Sequence, residues 1–123
     1  MNLSAVVDPK KRYDFMLVFD VIDGNPNGDP DAGNLPRIDP ETMQGIVTDV
    51  AIKRKIRDYI YFTRGHKKGF DIYVKHRGIL TNEQKKAYEE LGFKEDDSSP
   101  GNVKDARQWM CEHNYDTRMF GAV

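Results

Sequence analysis

Apolar positions in this chain change period twice. Between Tyr13 and Val21 they recur at every second residue: Tyr13, Phe15, Leu17, Phe19 and Val21 share one face. Met16, Val18 and Ile22 occupy the other face, with Asp14 and Asp20 near its ends. Both faces are mainly apolar, which predicts a central strand covered on two sides. From Thr48 the period lengthens to that of a helix. Ile52, Ile56, Tyr59 and Ile60 fall on one side and are expected to face a sheet. Thr48 is suited to cap that helix, with Asp49 in the first turn where negative charge suits the dipole. Further on, Phe70, Ile72 and Val74 alternate with Asp71, Tyr73 and Lys75, predicting a half-buried second strand.

Two more helices are expected. Thr81 with Gln84 is a capping-box pair, and Gly92 is a favoured terminator. Asn102 with Asp105 opens a third helix whose buried face is Val103, Ala106, Trp109 and Met110. At that spacing Trp109 is a core residue, and Cys111 beside Met110 is expected to be packed. The stretch from Lys94 to Asn102 reads as an exposed loop. No internal repeat or domain boundary is evident, so residues 1–123 are expected to form one small domain.

Between the first strand and the basic helix lies a polar stretch rich in Pro, Gly and Asn. Loops of that length inside a small domain are uncommon and usually functional. Charge sharpens the picture. Asp14, Asp20, Asp23, Asp29, Asp31, Asp39 and Glu41 are opposed only by Arg37, whereas Lys53, Arg54, Lys55, Arg57, Arg64, Lys67 and Lys68 are opposed only by Asp58. The formal net charge of -1 therefore hides an acidic block followed by a basic one. On the helix, Lys53, Arg57, Tyr61 and Arg64 fall together, with Arg54 beside them. Such a face suits a phosphate backbone, or is simply solvated.

At 38% hydrophobic residues and a mean hydropathy of -0.73, the composition is polar without being that of a disordered chain. No apolar run approaches membrane-spanning length, and the opening MNLSAVVDPKKR lacks the apolar core of a signal peptide. The single cysteine, Cys111, cannot form an internal disulfide, which favours a cytoplasmic setting.

The segments FDVIDGNPNGDPDAGNLPRIDPET, TDVAIKRKIRDYI and WMCEHNYDTRMFGAV resemble the crRNA-binding backbone subunit of type I CRISPR Cascade, a RAMP superfamily protein, in particular its I-C form. The resemblance covers nearly the whole chain after the first dozen residues. It implies an α+β fold, a modified ferredoxin-like (RRM-like) palm with a long loop between its first strand and basic first helix. It also implies that several copies line one guide RNA and hold it for pairing with target DNA, beside other Cascade subunits. Members of that family are much longer, so the chain is expected to be the N-terminal part of such a subunit, with an incomplete palm.

The expected RNA contacts are Lys53, Arg54 and Arg57 on the helix, with Asn25, Asn27 and Arg37 from the loop. Arg118 is a further candidate, or else pairs with Asp116 to fix the chain. Contacts of this kind go to the backbone and leave sequence to guide pairing. Three other readings compete. Asp23, Asn25, Asn27 and Gly28 match the opening of an EF-hand loop, but the twelfth position is Asn34 where a bidentate Glu belongs, so no metal site or cofactor is expected. Type III relatives of the family use a loop acid to support RNA cleavage, a role that Asp23, Asp29, Asp31 or Asp39 would have to fill. The third is a self-associating chain without RNA binding, since an unfinished sheet leaves an open edge. The spacing of His66, His76 and His113 shows no convergence, and no catalytic residue is assigned.

Overall fold

The computed structural model describes residue 8 and residues 10–95 and 97–122. Its elements are β1 (Gly28–Asp29), a 3-10 turn (Pro30–Ala32), β2 (Leu35–Pro36), and helices α1 (Asp49–Arg64), α2 (Leu80–Glu90), α3 (Pro100–His113) and α4 (Tyr115–Phe120). Helices and a small antiparallel pair together are compatible with an α+β fold. The chain divides into two units, 1–46 and 47–123.

In the second unit α1 starts where its cap predicts. The Thr48 hydroxyl accepts from the Ala51 N–H at 3.2 Å, and Asp49 occupies the first turn. Ile52, Ile56 and Ile60 are half-buried, but Tyr59, expected on the same side, is 67% exposed. Helix α2 begins two residues earlier than its capping pair suggested. Ile79 is the capping position, and its carbonyl accepts from Asn82 and Glu83 at 3.0 and 3.3 Å, which leaves Thr81 inside the first turn without a capping role. The far end follows expectation. Gly92 has φ 72°, its N–H bonds to Glu89 O at 3.1 Å, and the Phe93 N–H reaches Tyr88 O at 2.8 Å. That is the Schellman arrangement, and it depends on a left-handed residue that glycine supplies without strain.

Helix α3 also starts early, at Pro100, whose fixed φ and missing N–H suit a first position. The Asp97 carboxylate holds the approach by accepting from the Ser99 N–H at 2.9 Å and from Asn102 Nδ2 at 2.8 Å. Those bonds, from the Ser99 amide first and then from the side chains of Ser99 and Asn102, keep its pKa below the usual carboxylate value. The expected inner face is present: Ala106 is buried, and Val103, Trp109 and Met110 are half-buried. Helix α2 packs on α3, and each contributes one buried alanine, Ala87 and Ala106. Cys111, expected to be packed, is exposed.

Both expected strands are overturned. Residues 70–74 form a single parallel bridge, Asp71 with Asn114, in place of a half-buried strand. Adjacent Ile72 and Tyr73 are both buried, at 2% and 4% exposure, so the alternation breaks. The reason is a competing acceptor: the Asp116 carboxylate takes the Tyr73 and Val74 N–H groups at 2.8 and 3.0 Å, donors that a ladder would need. In the first unit, Tyr13–Val21 is not a strand, and Phe15, Met16, Val18 and Ile22 are each more than 80% exposed. A strand apolar on both faces requires paired edges and covered faces, and no ladder joins residues 14–21 to other described residues.

The polar stretch after it carries more order than its composition suggested. Gly28 pairs with Pro36 and Asp29 with Leu35. The connection uses left-handed Gly33 and Asn34, both at φ 62°. The Asp29 carboxylate caps the 3-10 turn by accepting from the Asp31 N–H at 3.1 Å. A further bridge joins Ile38 to Gly45. Gly28 gives room to the Asn34 side chain, whose Oδ1 would lie 2.0 Å from a Cβ there and would have to move.

Candidate nucleic-acid interface

The three helical cations proposed to meet RNA all have acidic partners. Lys53 Nζ lies 3.0 Å from Asp49 Oδ2, and the bond and charge of Lys53 hold the Asp49 carboxyl below its usual range. Arg54 Nε lies 2.9 Å from Asp58 Oδ1. Both are exposed pairs one turn apart on a helix, which contribute little and exchange readily. Arg57 differs. Its Nε lies 2.9 Å from Asp116 Oδ2, with the two side chains 14% and 1% exposed. The same carboxylate receives the two backbone N–H groups of the 70–74 segment, and Arg57 also lies 5.0 Å from the centre of the Phe120 ring. Arg57 therefore ties α1 to α4 from within, and its charge is committed.

Arg118, the other candidate in this unit, makes no bond to Asp116. Its guanidinium donates to the carbonyls of Cys111 and Glu112 at 2.5 and 3.1 Å and to that of Gly69. It satisfies the last carbonyls of α3 and fastens the turn before residue 70, a structural task. Arg54 and Arg57 share with Tyr61 and Phe62 the wall of a cleft of about 340 Å³. Lys75 lies on the same wall; burial works against its charge, but the hydrogen bond it donates to Asp71 and the charges of Asp71 and Glu83 prevail and raise its pKa.

In the first unit the predicted contacts are held by their own loop. Asn25 Nδ2 donates to Asn34 O at 2.8 Å, and Asn27 Nδ2 to Gly28 O at 3.2 Å. Arg37 lies 3.5 Å from Asp29, and its buried Nε has no hydrogen-bond partner among the described residues. Of the loop acids, Asp29 caps the 3-10 turn, while Asp39 accepts from the Glu41 N–H at 2.9 Å, which lowers its pKa. Among the described residues no group of three or more His, Cys, Asp or Glu is placed to hold a metal ion. No described helix is long and apolar enough to cross a membrane.

His66 and His76 are exposed. His113 is half-buried at the end of α3; its ring stacks on Trp109 with centroids 3.9 Å apart, and Nδ1 lies 2.9 Å from Trp109 O. The residue that sequence reasoning undervalued is Asp116. Its only signal is a short motif, Asp-Thr-Arg, whose arginine two positions away is an RNA candidate or, as the alternative, the partner of Asp116.

Residues 11–123 match the family model described as CRISPR-associated protein Cas7, and the chain belongs to that family. Over 113 residues it is 37% identical to the CRISPR-associated protein Cas7 of Haloferax volcanii. The match takes in 91% of this chain and 32% of that relative, so the chain spans about a third of the relative's length.

Proposed function

We propose that this chain is the N-terminal part of a non-catalytic backbone subunit that holds crRNA in a type I-C Cascade. It would serve there beside further copies of itself and other subunits in the cytoplasm, presenting the guide for pairing with target DNA. The observation that carries this reading is the family match across residues 11–123. The basic helix supports it: Lys53 and Arg54 hold exposed partners that a phosphate can replace at little cost. Arg37, Asn25 and Asn27 are assigned supporting contacts from the loop. Arg57 and Arg118 act by holding α1, α3 and α4 in place.

The test is co-expression of the chain with a CRISPR array, purification, and sequencing of the bound RNA. Repeat-spacer guide RNA should be enriched over cellular RNA. Lys53→Ala with Arg54→Ala should reduce the recovered guide, and in vitro should flatten the salt slope by roughly 1.4, about 0.7 per lost single-strand phosphate contact. Recovery of bulk RNA without guide enrichment overturns the assignment.

A further inference from the structure

The two ends of α1 carry charge in different states. Toward its start Lys53, Arg54 and Arg57 each face an acid. At its end and in the turn beyond, Arg64, Lys67 and Lys68 form no ion pair with any described residue. Beside them the helix presents three aromatic rings to solvent: Tyr59 is 67% exposed, Tyr61 52% and Phe62 80%. Tyr61 and Phe62 stand edge to face, centroids 5.8 Å apart. Arg64 lies 5.7 Å from the Phe70 ring centre.

The turn is held firmly. Gly65 N–H bonds to Tyr61 O at 3.1 Å, Lys67 N–H to Arg64 O at 2.8 Å, and Phe70 N–H to Lys67 O at 3.1 Å. Gly69 adopts φ 82° where a Cβ would press on Glu112 O at 3.1 Å, and Arg118 clasps its carbonyl. Lys67 and Lys68 line a cleft of about 540 Å³ together with Tyr61, His66, Trp109 and His113. The acids on the cleft wall are Asp71, Glu83 and Glu90. Asp71 is 2.9 Å from Lys75, and Glu83 is 2.8 Å from Lys86, so only Glu90 is left against the two free lysines.

We propose that residues 59–68 form an RNA-binding element separate from Lys53 and Arg54, with bases of a single strand stacking on Tyr61 and Phe62 and phosphates held by Lys67 and Lys68. This rests on the guide-binding reading above and adds a second contact to it. Unpaired cations interleaved with exposed rings on a fixed backbone are what sequence-tolerant single-strand binding requires, because every base has a ring face and every nucleotide a phosphate. A charged face intended only for solvent has no need of adjacent exposed aromatic rings. A face intended only for another protein copy would leave two like charges unneutralised in the contact.

The test uses the 123-residue chain and a fluorescein-labelled twelve-nucleotide oligouridylate, with polarisation read across a salt series and circular dichroism to confirm folding. Lys67→Ala with Lys68→Ala should weaken binding by about tenfold or more at low salt and flatten the slope by roughly 1.4. Phe62→Ala should weaken it by about tenfold with the slope unchanged, since stacking releases no counterion. Lys104→Ala with Arg107→Ala, exposed cations on α3, should stay within about twofold of the parent. Parent-like binding by both the lysine and Phe62 variants overturns the proposal. So does a parent that fails to bind, or a change in self-association by sedimentation with RNA binding unaltered. The dependence persisting without guide enrichment in cells would retain the single-strand site and remove the guide assignment; guide enrichment that ignores Lys67, Lys68 and Phe62 would do the reverse.

Discussion

Among the described residues the large side chain most completely buried is a carboxylate, Asp116, while the apolar run of residues 13–22 faces solvent. Each inverts what residue polarity alone predicts, and both have the same cause. Asp116 is inside because three donors meet its two oxygens: Arg57 Nε and the N–H groups of Tyr73 and Val74. Burial of a charge is tolerated when it is paired and hydrogen-bonded in this way. Residues 13–22 are outside because no ladder joins residues 14–21 to other described residues, so the edge pairing that a buried strand requires is missing. Supply of partners, more than polarity, decides which groups leave water here.

The strongest way to break that contrast is to remove the buried acceptor. Asp116→Ala leaves the Arg57 charge and two backbone donors without a partner, and should cost about 3–5 kcal/mol, as loss of one member of a buried pair does. Urea unfolding measures this directly. A loss below about 1 kcal/mol would show that Asp116 is a bystander to the packing of α1, α4 and the 70–74 segment. Arg57→Ala should lose a comparable amount, which is why it is a poor probe of RNA binding.

The exposed run gives the opposite expectation. Phe15→Ser, Val18→Ser and Ile22→Ser together remove three side chains, each more than 80% exposed, and should leave unfolding of the chain within about 0.5 kcal/mol of the parent. Self-association should respond instead. Exposed apolar stretches of this kind mark contact sites, so the parent is expected to associate on concentration, with the triple variant needing at least about tenfold more protein to do so. Sedimentation across a dilution series reads both. A monomeric parent at all concentrations would mean that this run finds no partner in a second copy.

The smallest expected effect concerns an exposed carboxylate, set against the buried one. The Asp97 pKa in the fold is below its ordinary value, chiefly through the Ser99 N–H. Its contribution is therefore complete above the unfolded-state value near pH 4 and fades as pH falls through the lower folded value. Asp97→Asn should lower stability slightly at neutral pH and make the acid limb below about pH 4 shallower. An acid limb identical to the parent's would mean that this carboxylate does not anchor α3.

Much of the helical part was legible in the sequence. Thr48, Gly92 and the Val103–Met110 spacing act within one or two turns, so the residues that determine them are neighbours in the chain. The basic face of α1 was legible for the same reason. Which of its cations are paired was not fully so: Asp49 and Asp58 stand one turn from Lys53 and Arg54, but the partner of Arg57 is 59 positions away. The same distance hid the fate of residues 70–74, whose alternation is that of a strand until a remote carboxylate takes two of its donors. Order in the 23–46 stretch was partly written in Gly28, Gly33 and Asn34, although its short ladder was masked by a composition that favours turns. For residues 13–21 the sequence specifies an apolar, alternating segment and nothing more. A helix closes its hydrogen bonds within itself, whereas a strand must borrow donors and acceptors from another segment, and only the tertiary structure determines whether that segment is present.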